Sequence, residues 1–294
     1  MGKIRVGISG WSYDAWRGDF YPEDLARGDE LSYASRRLGS VEINGSFYGL
    51  QAPSSYRSWY QATPRGFVLA VKGSRFITHN KSLKDVGTPL ANFFASGVLA
   101  LEEKLGPILW QTSERTRFVA DRVRTFLELL PRDTEAAARL ARRHDDRVED
   151  TWTRIDHNHR LRHVFEARHE SWLVPEFARI ARDTGTAIVF SDSASWPSTE
   201  EVTAGFVYLR LHGAEETYAS GYGGRALDRW AERIRAWSRG RQPEDANRIT
   251  DRPPPRRKTR DVYVYFDNDA RGRAPWDARS LAERLGVAPD TPED

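Results

Sequence analysis

Phe206-Val207-Tyr208-Leu209-Arg210-Leu211-His212-Gly213 is a short apolar run that closes on two ionisable residues two positions apart. Side chains alternate across a strand, so Arg210 and His212 share a face. The same design recurs along the chain. Ile4–Ile8 leads into Ser9, Val41–Ile43 carries Glu42 and ends at Asn44, and Phe67–Val71 ends at Lys72. Ile108–Leu109 leads to Gln111, Val164–Phe165 to Glu166 and Arg168, Ala187–Phe190 to Asp192, and Val262–Phe266 to Asp267-Asn268-Asp269. Strand-like runs that each end in polar residues predict an α/β fold, a (β/α)8 TIM barrel whose strand ends converge on one site.

Amphipathic stretches separate these runs, as parallel βαβ units require. Helices are expected over Leu31–Leu38, Pro53–Ala62, Leu90–Lys104, Thr116–Leu130, Pro175–Asp183, Arg225–Trp237 and Trp276–Leu285. Ser54 or Ser55 is the expected cap of the second, and Gly185 and Gly286 read as C-terminal stops. Two segments break the rhythm. Asp133–Ile155 reads as a charged helical insertion before strand 5, and Arg239–Arg260, with Pro253-Pro254-Pro255, as a long exposed loop before strand 8. A single barrel domain over residues 1–288 is expected, followed by a short tail, 289–294.

The bulk numbers agree. A chain of 294 residues with 39% hydrophobic content suits one barrel, typically about 250 residues. A mean hydropathy of -0.66 and the lack of a long apolar run argue against a membrane protein. The opening Met1-Gly2-Lys3-Ile4-Arg5-Val6 carries no hydrophobic signal core, so a cytoplasmic location is expected. Cysteine is absent, which removes disulfide and thiolate chemistry. A net charge of +3 is too small to indicate nucleic-acid binding without a patch.

Each strand end offers chemistry and a plainer structural alternative. Glu42, facing opposite to Val41 and Ile43, is a catalytic base or ligand, or half of an ion pair with Lys72. Lys72, Arg75, Thr78 and His79 form a cationic stretch that would face an anion. Glu166 and Arg168 pair a carboxylate with an oxyanion clamp, or bind each other. Asp192, Arg210 and His212 follow on strands six and seven, and the Tyr/Gly-rich Tyr218–Gly224 reads as a mobile lid or anion loop. Glu42, His79, Glu166, Asp192 and His212 are the candidate catalytic groups. Trp11, Asn44, Tyr48, Lys72, Gln111, Arg168, Trp172, Arg210, Tyr218, Tyr222 and Asn268 are the candidate substrate contacts. The aromatic Trp11, Ser12, Tyr13 and Trp16 loop is a pocket wall or a packed cluster. His157, His159 and His163 read as a solvated loop on the opposite face rather than a metal site.

These residues also carry a resemblance. Gly7-x-Ser9-Gly10-Trp11-Ser12-Tyr13, Phe20-Tyr21-Pro22, Val41-Glu42-Ile43-Asn44 with Ser46-Phe47-Tyr48, Thr78-His79 and Leu105-Gly106-Pro107-Ile108-Leu109 belong to it. So do Glu166-x-Arg168-His169-x-Ser171-Trp172, Arg210-Leu211-His212-Gly213, Tyr218 to Tyr222, and Tyr265-Phe266 with Asn268. Together, in this order and over nearly the whole chain, they resemble the YecE-like family, catalogued as domain of unknown function seventy-two. The resemblance implies a TIM barrel and no particular activity. The chain departs from the family pattern at Thr112-Ser113-Glu114, where Leu-Pro-Pro usually follows the glutamine. Asp267 replaces the first of two asparagines, and Ala167 replaces an aromatic.

Mixed cations and carboxylates at strand ends point to an enzyme for a small anionic, phosphate-bearing ligand, with phosphoester hydrolysis the leading reaction. A divalent metal on Glu42, Glu166, Asp192 or His212 is one option for it; no organic cofactor is expected. Two rivals stand beside it. One is a non-catalytic nucleotide or single-stranded nucleic-acid binding module built on Trp11, Trp16, Tyr48, Trp110 and Trp172. The other is a sugar-phosphate isomerase with Glu166 or Glu42 as base and Lys72 as electrophile. In the blandest reading the charges satisfy one another and the barrel is a scaffold.

Overall fold

Eight parallel strands follow one another in sequence order round a closed barrel, with helices in the connections. This (β/α)8 architecture is seen in a computed structural model that describes residues 1–213, 221–268 and 271–289. The strands are β1 (Ile4–Ser9), β2 (Ser40–Ile43), β3 (Val68–Lys72), β4 (Leu105–Gln111), β5 (His163–Glu166), β6 (Ala187–Asp192), β7 (Phe206–Leu211) and β8 (Asp261–Phe266). Residues of β7 are buried on both faces, as parallel strands covered by helices must be, which is why they read as near-continuous apolar runs. The predicted strands are all present, and each described polar run-end sits on or just past a C-terminal strand end.

The chain groups into two compact units, residues 1–42 with 173–294, and residues 43–172. In the first, β7 and β8 pair in register from Phe206↔Asp261 to Leu211↔Phe266, and β8 pairs with β1. Helix α7 (Pro175–Asp183) packs on β6, α8 (Gly224–Ser238) on β8, and α9 (Ala274–Leu285) on β8 and β1, with α1 (Glu30–Ser35) earlier in the chain. α9 stops at Gly286, whose φ of 69° closes the helix in the left-handed form favoured by glycine. The predicted loop 239–260 carries no strand or helix. It is tied down by two buried carboxylates: Glu200 accepts from Asn247 N at 3.2 Å, and Glu201 from Ile249 N and Thr250 N at 2.9 and 3.0 Å.

In the second unit, β3 pairs with β4 and β4 with β5. Its helices are α2 (Gly45–Tyr48), α3 (Pro53–Ala62), α4 (Gly87–Ala95), α5 (Ala120–Leu129) and α6 (Thr134–Ala141). Two expectations need correction. α3 is not capped by Ser54 or Ser55: Ala52 precedes it, and Pro53 takes the first helical position, where its missing N–H costs nothing. The helix expected over Leu90–Lys104 is broken. α4 ends at Ala95, Gly97 adopts φ 123°, and Val98–Lys104 continues as a 3-10 turn. A Cβ at Gly97 would lie 2.7 Å from Pro53 Cα and 2.7 Å from a Tyr56 ring carbon, so α3 itself forces the break. The insertion is helical only over α6, which Asp133 caps by accepting from Ala136 N.

Candidate functional site

In the 43–172 unit, Lys72, Gln111 and Glu166 are the last residues of β3, β4 and β5. Gln111 and Glu166 are register partners, and the Gln111 amide donates to Glu166 Oε2. Arg168, two residues on, places Nη2 3.6 Å from the other carboxylate oxygen. Past β3 the backbone makes a π-helix, Phe76–Asn80, a rare form that is frequent at functional sites. Ser82, Leu83 and Asp85 then hold φ of 49°, 68° and 50°, conformations that cost L-residues roughly 1–3 kcal/mol each. This strained segment presents His79. Thr78 Oγ1 lies 2.9 Å from His79 Nδ1, so Nε2 is the ring atom left for a ligand. The ring meets Phe47 edge-on at 5.2 Å, and Lys72 Nζ sits 4.3 Å from the same Phe47 ring. Burial, and then the charges of Lys72, Arg168 and Arg75, push His79 down to about 4, so its imidazole is neutral near neutral pH.

In the unit of residues 1–42 and 173–294, a different network forms. The Glu42 carboxylate accepts from the Ser9 and Tyr208 hydroxyls and, at 2.9 Å, from Arg210 Nη2. Arg210 Nη2 is also 2.9 Å from Asp267 Oδ2, and His212 Nδ1 is 3.0 Å from that oxygen. Glu42, Arg210 and His212 are each 0% exposed. Tyr208 and Arg210 are two apart on β7, so both aim at Glu42. Burial raises the Tyr208 phenol, with the Glu42 charge adding to it, so the hydroxyl stays a donor. Trp196 packs edge-on to His212 at 4.8 Å.

The remaining candidates divide between network and packing. Half-buried Asp192 accepts from Trp230 Nε1 at 3.2 Å. The Tyr222 hydroxyl accepts from Gly213 N at 3.1 Å, while its own N–H donates to Asp277 Oδ2. Asn268 donates to the same Asp277 oxygen at 2.8 Å, and burial raises the Asp277 carboxyl. Trp172 is buried, donates from Nε1 to Thr116 O at 2.7 Å and packs on Phe165. Trp110 and Trp16 are fully buried, Trp110 among Phe93, Phe126 and His163 and Trp16 among Tyr13, Phe20 and Tyr21. They form core, not a stacking platform. Trp11 is half-buried, and its carbonyl accepts from Tyr21. Asn44 directly precedes α2, and Tyr48 is exposed. Tyr218, most of the Tyr218–Gly224 loop's first half, and Asp269 lie outside the described residues.

His163 is not part of a solvated loop. It opens β5 and is buried, with Nδ1 3.2 Å from Trp110 Nε1 and Nε2 2.7 Å from Pro131 O. Ser9 is legible in the sequence only as the polar end of the first strand run, and Tyr208 and Asp277 are not among the sequence candidates. Tyr208 had a visible signal in its spacing from Arg210, whereas Asp277 sits mid-pattern on α9 with none. Among the described residues, the groups of His, Asp and Glu whose ligand atoms lie within 4.8 Å of one another are Asp156–His157–His159 and Glu102–Glu103–Asp156. Neither contains Glu42, Glu166, Asp192 or His212. Among the described residues, no helix is long and apolar enough to cross a membrane.

The fold and its polar strand ends define a parallel β/α barrel protein with charged groups at the carboxyl ends of its strands. The chain belongs to the DUF72 family, described as a protein of unknown function, whose profile matches residues 5–294; this is the YecE-like family. The crystal structure of a DUF72 family protein from Thermotoga maritima is similar at TM-score 0.72 and 24% identity, covering 97% of this chain and 99% of that one. A DUF72 family protein from Enterococcus faecalis is similar at TM-score 0.67 and 16% identity, with 99% of each chain covered. None of the curated proteins matches the chain.

Proposed function

We propose that this chain is an enzyme acting on a small phosphate-bearing substrate, and that its reaction is phosphoester hydrolysis on the 43–172 unit. One observation carries the reading: Lys72 Nζ and the half-buried His79 imidazole meet the same Phe47 ring, at 4.3 and 5.2 Å, and burial together with the Lys72, Arg168 and Arg75 charges lowers the His79 pKa. Cations brought together around a neutral group favour an anion, and a phosphate takes several such donors at once. Its negative charge would offset the three cations and raise the basicity of His79. Nε2 then accepts a proton from the attacking water as its oxygen bonds to phosphorus; the ester P–O bond opposite breaks, and the departing alkoxide takes a proton from solvent. Glu166, bonded by Gln111, orients Arg168.

Glu42, Arg210 and Asp267 fit a supporting role, since a fully buried carboxylate with three protein donors has little left for a substrate. A non-catalytic nucleotide-binding reading has one observation in its favour. Tyr48 and Phe76, 68% and 42% exposed, line a cavity of about 230 Å³ with Leu50, Ile77 and Pro89. That apolar cavity suits a base or other organic group. Release of nitrophenol from p-nitrophenyl phosphate and bis(p-nitrophenyl) phosphate separates the two. The proposal expects turnover by the intact chain, lost in His79→Gln and Lys72→Met with unchanged melting temperature. Turnover no better than buffer, or a fully active His79→Gln protein, refutes it.

A further inference from the structure

At the amino ends of β4 and β5 a second set of ionisable groups comes together. Asp156, His157 and His159, in the loop entering β5, each offer a ligand atom, all within 4.8 Å of one another. Glu102 and Glu103, in the turn entering β4, form a like group with the same Asp156. His157 Nδ1 is 2.5 Å from Asp156 Oδ2, and the two imidazole centroids are 5.1 Å apart. Both ring nitrogens of His159 are shielded from solvent, and the contact they make is a poorly aligned one with the His157 backbone. A shielded imidazole with a nitrogen left unsatisfied is costly, and such a group calls for a missing partner.

The backbone around the cluster is held in place. Thr134 Oγ1, at the start of α6, donates to His157 O at 3.0 Å and accepts from His159 N at 3.1 Å. Tyr60 donates to Glu103 Oε1 at 3.0 Å, the outer support that a ligating carboxylate ordinarily has. Glu102 is held at φ 50°, ψ -129°, a strained conformation in the turn that presents Glu103.

We propose that Asp156, His157, His159 and Glu103 form a binding site for a divalent ion of the zinc type. Two imidazoles and two carboxylates are a borderline donor set, which favours zinc and its transition-metal neighbours over magnesium and calcium, whose sites are built from oxygen. A tetrahedral ion with bonds of about 2.1 Å needs ligand atoms about 3.4 Å apart, so Asp156, His157 and His159 close modestly around it, while Glu103, grouped with Asp156 but not with the histidines, moves farther. The ion takes a shielded His159 nitrogen as ligand and takes the place of the direct contact between His157 and Asp156. Residues at the amino ends of barrel strands serve stability rather than chemistry. The ion therefore staples the loop before β5 to the turn before β4, independently of any reaction at the carboxyl ends.

The test uses the full chain without an affinity tag, stripped with chelator, dialysed and titrated with zinc chloride by calorimetry. The expected result is one zinc per chain, a higher melting temperature on binding, and no displacement by excess magnesium or calcium. Losing outer supports alone weakens metal sites by roughly 10–100-fold, so His157→Ala and His159→Ala should each weaken zinc binding at least that much. His157 and Asp156 are exposed, so His157→Ala and Asp156→Asn remain informative if His159→Ala does not fold. Zinc binding by His157→Ala and Asp156→Asn as tight as by the unaltered chain overturns the proposal, as does no binding at all.

Discussion

Arg210 Nη2 lies 2.9 Å from Glu42 Oε1, and neither side chain reaches solvent. The same guanidinium faces Asp267, so one cation answers two carboxylates. Removing one partner of a buried pair leaves a charge stranded in a poor solvent and costs roughly 3–5 kcal/mol. Arg210→Met should therefore lower the urea midpoint strongly. Arg179→Met, which breaks exposed contacts to Glu176 and Asp183, should shift it by no more than about 0.5 kcal/mol. Equal stability of Arg210→Met and the unaltered chain would show the network to be dispensable.

Acid should weaken the fold through His163. Burial holds this imidazole down to about 4, and protonating Nδ1 would turn it towards the Trp110 N–H, donor against donor. The unfolded chain takes the proton at its ordinary value near 6.5. Between about pH 6.5 and 4 the unfolded state thus binds more protons, and stability rises with pH. The stabilisation is complete above that window and is lost on acidification through it, up to about 3 kcal/mol. His163→Gln, which can still accept from Trp110 and donate to Pro131, should flatten this part of the urea-midpoint profile. An identical slope in the variant would remove His163 from the account.

Phosphate binding should depend on Lys72 and on salt. A hydrogen bond to a charged partner is worth roughly 1.5–3 kcal/mol, so Lys72→Met should weaken inorganic phosphate by about tenfold or more. The exposed Arg75 should contribute less, because solvent screens it. Calorimetry at two ionic strengths checks both, and salt-independent binding would argue against a cationic site.

Gly97→Ala should destabilise the 43–172 unit. The new Cβ would press on Pro53 Cα and the Tyr56 ring while φ stays positive, at a cost of about 1–3 kcal/mol. Thermal melting measures this directly, and an unchanged midpoint would mean α3 moves aside freely.

That glycine also marks where sequence reading ran short. The apolar period from Leu90 to Lys104 looks unbroken because periodicity registers local chain only, and the obstacle at Gly97 comes from α3, some forty residues earlier. Strands such as Phe206–Leu211 were legible because a parallel strand buried on both faces must be apolar throughout. Glu166 with Arg168 was legible too, being two apart on one face. The partners of Glu42 were not, since Tyr208 stands 166 residues away. Nor does any spacing rule announce the π-helix that presents His79 or the left-handed residues after it. His163 misled because a charged, His-rich neighbourhood resembles a loop, yet β5 buries it.

The central claim is that Lys72, Arg75 and Arg168 make His79 the seat of an anion site, and a single measurement addresses it. The His79 imidazole is titrated by NMR, assigned through His79→Gln, with and without saturating inorganic phosphate. The account predicts a value of about 4 in the free protein, rising when phosphate offsets the three cations, so that phosphate binds more tightly as pH falls. A His79 titration that starts near the ordinary 6.5, or that phosphate leaves unmoved, would contradict it.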